Sequence, residues 1–166
     1  MAPLSDDPST ISFMRHALAT LAYRAGKTMR DTPAEFGAFR VTADSPSVVE
    51  IVSHMGDLMD WVLRQVNGAG NWTTATPQDW EAERRRFFAA LGALDARLAT
   101  GVPPAMDPGR IFQGGIADAL THTGQLAMLR RLSGHKMKGE SYARADIRIG
   151  RVGIEQTPAE AKYEFD

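Results

Sequence analysis

The stretch Pro108-Gly-Arg-Ile-Phe-Gln-Gly-Gly-Ile-Ala-Asp118-Ala-Leu-Thr-His122-Thr-Gly-Gln125-Leu-Ala-Met-Leu-Arg-Arg-Leu-Ser133 reads as one long helix. Asp107 before Pro108 supplies a start, and Gly134 supplies the stop. Ile111, Phe112, Ile116, Ala119, Leu120, Leu126, Leu129 and Leu132 recur at helical spacing and predict its packed side, with Met128 also read as packing. Arg130 and Arg131 fall in the last turn, where positive charge complements the helix dipole. Asp118 and His122 are four residues apart, so their side chains share a face. That face borders the stripe Gly115, Ala119, Leu126, and a carboxylate beside a core is costly unless paired or metal-bound. Gly114 and Gly115 should each cost about 1 kcal/mol relative to alanine. Close backbone packing near the site, or at a dimer contact, is the expected compensation.

Working outward, three more segments carry helical period. Over residues 8–29, Ile11, Met14, Leu18, Leu21, Ala22, Ala25 and Met29 form an i, i+3, i+4 stripe, with Asp7 as N-cap and Pro8 as first helical residue. Over 47–66, Val48, Ile51, Val52, Met55, Leu58, Met59 and Val62 form the apolar face. Ser47 with Glu50 reads as a capping box, and Ser45-Pro46 is a rival start. Over 77–99, Trp80, Phe87, Phe88, Leu91, Leu94 and Leu98 face inward, with Thr76 as cap and Asp79 in the first turn. The connection from Arg30 to Ser45 is long, as in bundles that are not simple up-down-up-down. Residues 135–166 show no helical period. Their Tyr142, Ile147, Ile149, Val152 and Ile154 predict a tail lying over the helices. The sequence therefore predicts an all-α chain: one domain, 1–166, built as a four-helix bundle with a long helix 1–2 crossover and an irregular C-terminal tail packed on it.

Composition narrows the function. The chain has 166 residues, a formal net charge of −1 and no cysteine. There is no basic excess of the kind nucleic-acid binding requires, and no thiolate for a metal or a nucleophile. No apolar run approaches the ~20 residues of a membrane span. The opening MAPLSDDPST lacks the basic and apolar regions of a secretory signal. The expectation is a cytoplasmic protein with no nucleic-acid and no membrane partner.

His54 borders the apolar face of the second helix. If that helix packs face to face with the fourth, His54, Asp118 and His122 can converge on one divalent ion. Such a two-histidine, one-carboxylate set suits Zn(II), Ni(II), Fe(II) or Mn(II) and leaves positions open. The plainer alternative is an Asp–His hydrogen bond, since a D-x-x-x-H pair is common by chance. Asp57, one turn after His54, could orient that imidazole, or could be a solvated helix charge. Gln125, three residues after His122, could bond a bound water or substrate, or simply pack. His16 reads as a surface or core-edge residue and His135 as an exposed loop residue. Glu83-Arg84-Arg85-Arg86 reads as a solvated face. Trp61, Trp72 and Trp80 read as core or pocket wall.

Asp118-Ala-Leu-Thr-His122-Thr-Gly124-Gln125 resembles the last helix of the DinB/YfiT-like family. Val48-Val-Glu-Ile-Val-Ser-His54-Met-Gly-Asp-Leu-Met-Asp-Trp61 is similar to that family's second helix, histidine included. Gly139-Glu-Ser-Tyr142-Ala-Arg-Ala145-Asp-Ile147 is similar to the tail of a DinB-like subgroup. The first and third helices match in pattern only. One position departs: the family pattern has histidine where this chain has Asp118. The resemblance implies a metal-binding four-helix bundle and a homodimer. It also points to an enzyme acting on a small molecule, because relatives use low-molecular-weight thiols such as bacillithiol or mycothiol. Thiol transfer and hydrolysis are the two expected reactions, with no catalytic residue assigned. The competing expectation is a non-catalytic dimeric stress or ligand-binding bundle whose metal site has decayed.

Overall fold

A computed structural model describes residues 8–166. Four helical rods enclose one apolar core, and there is little strand. Helix α1 spans Pro8–Met29, α2 Val48–Val66 and α3 Trp80–Ala99. The fourth rod is composite: α4 Pro108–Ile111, a π-helical segment Phe112–Ile116, then α5 Ala117–Leu132. A 3₁₀ segment Ala34–Ala38 lies in the crossover between α1 and α2. The Asp7 cap expected for α1 lies outside the described residues. No helix among those residues is long and apolar enough to cross a membrane.

The stripe expected for α1 is buried from Met14 to Met29, with Ile11 half-buried. Helix α2 opens on the capping box. Ser47 Oγ accepts from the Glu50 amide at 3.4 Å, and the Ser47 amide donates to Glu50 Oε2 at 2.7 Å. Those bonds, from the Ser47 side chain first and its backbone second, hold the Glu50 carboxyl below its ordinary pKa.

The start of α3 differs from expectation. The helix begins at Trp80, and Asp79, not Thr76, is the cap, accepting from the Ala82 amide at 2.8 Å. The reason lies just upstream. The Gln78 amide donates to Glu83 Oε1 at 2.9 Å, which holds Pro77 and Gln78 outside the helix.

The fourth rod also differs from a continuous α-helix. Its π segment carries an additional residue in one turn, which shifts the phase of the apolar stripe. Phe112 is consequently 36% exposed although it fits the linear pattern. Met128 and Leu132, both read as packing, are exposed at the outer face of α5. Close approach explains Gly115 but not Gly114. A Cβ on Gly115 would lie 2.2 Å from Val62 Cγ2, and one on Gly114 would lie 3.5 Å from the Trp61 ring. At Gly115 the backbone of the fourth rod thus packs directly on α2, where only glycine fits, whereas at Gly114 a methyl would make ordinary contact with Trp61.

The tail returns to α1. Two-residue strands β1 Gly139–Glu140 and β2 Glu164–Phe165 pair antiparallel, with Gly139 opposite Phe165. Buried Glu140 accepts from Tyr23 Oη at 2.7 Å and from Lys27 Nζ at 2.8 Å, and Lys27 also reaches Glu164 at 2.9 Å. Burial and the Glu140 bond push the Tyr23 phenol above its usual pKa. Val152 is buried, but Ile149, expected to pack, is exposed. Arg130 works across helices: Nη1 donates to Lys27 O at 3.1 Å and Thr28 O at 2.9 Å. It closes the C-terminal carbonyls of α1 rather than only balancing its own helix.

Candidate metal centre

Three donors meet where α2 faces the start of α5. His54 projects from the middle of α2, and Asp118 and His122 stand one turn apart on α5. Their ligand atoms all lie within 4.8 Å of one another. His122 Nε2 is 3.6 Å from Asp118 Oδ1, and His54 Nε2 is 3.9 Å from Asp118 Oδ2. The imidazoles meet edge to face, with ring centroids 4.9 Å apart and an 85° interplanar angle.

Those distances discriminate between the two readings of the trio. An N–H···O hydrogen bond wants about 2.7–3.2 Å, so neither carboxylate–imidazole pair is one. Donors sharing a tetrahedral ion at about 2.0–2.1 Å stand about 3.3 Å apart. The two carboxylate–imidazole gaps, 3.6 and 3.9 Å, are somewhat longer than that, and all three ligand atoms lie within 4.8 Å, so side-chain rotation must draw the donors together around an ion. The group can therefore hold a metal ion, and two imidazoles with one carboxylate fit a borderline divalent cation.

Gln125 sets the chemistry of His122. Its Oε1 lies 2.7 Å from His122 Nδ1. With that oxygen accepting, Nδ1 carries the proton and the Nε2 lone pair faces Asp118 and His54. Gln125 thus acts on the imidazole through its amide oxygen. His54 and Asp118 are about two-fifths exposed and His122 about one-fifth, with side-chain values of 41%, 43% and 19%. Beside them opens a cleft of about 440 Å³, walled by Arg40 and Asp44 from the crossover and by Glu50, Ile51, His54 and His122 from the helices.

Asp57 is not where the spacing suggested. It is buried, and its oxygens are taken by Arg86 Nη1 at 2.9 Å and by the Ala75 amide at 3.1 Å. It neither orients His54 nor faces solvent. Arg86 departs from the expected solvated face in the same way. It bonds Glu83 at 2.8 Å, Ser53 Oγ at 3.0 Å and Asp60 at 3.4 Å, joining α2 to α3. Burial pulls the Arg86 pKa down, but the bonds to Glu83 and Asp57 outweigh it and hold it above its ordinary value. For Asp60 burial wins over the pull of Arg86 and raises its pKa. A signal for this hub was present: Ser53, Asp57 and Asp60 recur at i, i+4, i+7 on α2 and so share one face.

The remaining candidates lie elsewhere. His16 is exposed on α1. His135 is half-buried instead of exposed, with Nδ1 3.0 Å from Ser133 Oγ and its ring 6.1 Å from that of Phe36. Trp80 is core, Trp61 packs against Gly114, and Trp72 lies with its ring 5.5 Å from His54. Comparison with protein-family models, with curated proteins and with solved structures finds no match to this chain.

Proposed function

We propose that this protein is a DinB-like four-helix bundle that binds one divalent transition metal through His54, Asp118 and His122 and acts on a small molecule there. The observation that carries the reading is the spacing of the three donors: too long for hydrogen bonds, close to what a shared ion requires. Three protein ligands leave coordination positions open, as a reactive centre needs and a purely structural one does not. When bound, Zn(II), Ni(II), Fe(II) or Mn(II) supplies Lewis acidity, which lowers the pKa of water or of a small thiol. Gln125 presents the His122 lone pair, Asp118 lowers the net charge of the set, and the cleft beside His54 admits the substrate. Transfer of a low-molecular-weight thiol is the favoured reaction and hydrolysis the second. A cytoplasmic homodimer belongs to the same proposal.

One observation favours a second reading, a non-catalytic ligand-binding bundle. His54 and Asp118 are each about two-fifths exposed, so the cluster can persist in water without an ion at little cost. Elemental analysis of protein purified without a polyhistidine tag separates the two. The metal reading expects about one divalent ion per chain in the wild type and background levels in His122→Ala. Background metal in both, after incubation with each of the four ions, would sink it. Asp118→Ala would then leave stability nearly unchanged.

A further inference from the structure

Trp72 is a large aromatic left 42% exposed at the edge of the metal centre. Its neighbours in the chain, Asn71, Thr73 and Thr74, are polar and exposed. Its one polar atom is already satisfied, since Nε1 donates to Thr74 Oγ1 at 2.9 Å. What the indole offers is an apolar π face. Its ring centroid lies 5.5 Å from that of His54, at an interplanar angle of 51°.

The connection that carries it is held in place by one helix. Gln65 Nε2 donates to Gly70 O at 2.7 Å, Arg64 Nη2 to Thr73 Oγ1 at 2.7 Å, and the Ala75 amide to Asp57 Oδ2 at 3.1 Å. Gln65, Arg64 and Asp57 all belong to α2, which also carries His54. Asp57 is itself fixed by Arg86 from α3. The indole and the His54 imidazole therefore share one frame, and the position of one sets the position of the other. On the crossover side of the centre the cleft is lined by Arg40, Asp44, Ser45 and Pro46, and there Arg40 Nη2 donates to Glu50 Oε2 at 3.3 Å. The centre thus has charged groups on one side and, outside that cleft, one aromatic neighbour.

We propose that Trp72 is the recognition surface for the planar, unsaturated part of a ligand whose anionic end binds the ion held by His54, Asp118 and His122. The inference rests on the metal-centre reading above and adds the ligand class: a small aromatic or conjugated acid or thiol. The indole quadrupole favours an offset or edge-on ring of this kind. A wholly aliphatic ligand would leave that face in water.

The test uses full-length protein loaded with Zn(II), its zinc content read by elemental analysis before any binding measurement. Benzohydroxamate and acetohydroxamate share a metal-binding group and differ by the phenyl ring. Calorimetric titration of the wild type is expected to show benzohydroxamate bound about fivefold or more tighter. Trp72→Ala should bring the two within about twofold, and Trp72→Phe should keep most of the preference, since a phenyl face still stacks. Zinc content should be equal in all three proteins. Equal affinities in the wild type, or a preference that survives Trp72→Ala, overturns the proposal. So does loss of zinc in Trp72→Ala, because the indole would then serve His54 and not the ligand. A zinc-free wild type overturns this proposal and the metal centre together, and the initial zinc reading separates that case from the others.

Discussion

Gln125 decides which nitrogen of His122 faces the other donors. Through its 2.7 Å contact with Nδ1 it holds both the tautomer and the ring angle. Gln125→Leu is therefore expected to weaken metal affinity about 10- to 100-fold while leaving helicity unchanged. Competition with a chromophoric chelator measures this, and an unchanged affinity would mean the imidazole orients itself. Single residues also show how far the sequence could be read. The Asp118–His122 pair is fixed by helix geometry alone, so its proximity was legible. The approach of His54 depends on how α2 meets α5, and spacing could only make it conditional. Asp57 was misread because its partner, Arg86, is on another helix, and a partner 29 residues away leaves no local trace. Trp72, read as core or pocket wall, is exposed instead, and nothing in the linear sequence tied it to His54.

Elements repeat the lesson with a different cause. The capping box of helix α2 was legible, because it is a local signature with local partners, and the structure decides for it over the rival start at Ser45-Pro46. Helix α3 was placed too early, since the Gln78 amide is diverted by Glu83 to a purpose the pattern does not display. The π segment was invisible: Phe112 and Ile116 suit an α-helix stripe, and only the cost of the glycines signalled close packing, which the structure shows at Gly115. Gly115→Ala tests that closeness. The added methyl would meet Val62 Cγ2 at 2.2 Å. Val62 is fully buried and β-branched, so it has little freedom to rotate away. Overpacking of this kind costs about 1–3 kcal/mol. Alanine recovers up to about 1 kcal/mol in helix propensity, which leaves a net loss. Urea denaturation should show it, together with weaker metal retention as α2 and α5 are pushed apart. The double variant G115A/V62A should lose less than the sum of the two single changes. Additive losses would mean the contact is not the cause.

Across the whole molecule, the tail and the fourth rod hold the far end of α1. The side chain of Glu140 is 1% exposed and that of Lys27 11%, so their ion pair is nearly dry. Removing the cation strands a buried carboxylate. Lys27→Met is expected to cost about 3–5 kcal/mol. Lys27→Met with Glu140→Leu should recover part of that, because the buried carboxylate is gone, although Glu164 loses its partner and the Tyr23 hydroxyl its acceptor. Denaturation midpoints measure both, and limited proteolysis within 139–166 should accelerate in the single variant alone. Equal stability of Lys27→Met and wild type would show the pair to be incidental. The sequence foretold that the tail lies on the helices, from its apolar residues, but not that charge holds it there. The carbonyls at the end of α1 add a consequence in time. They are closed by Arg130, which comes 102 residues after Thr28. At a ribosomal rate of about 5–20 residues per second, that interval is about 5–20 s. During synthesis two carbonyls in the last turn of the first helix, those of Lys27 and Thr28, wait open to water for a side chain that has not yet been made.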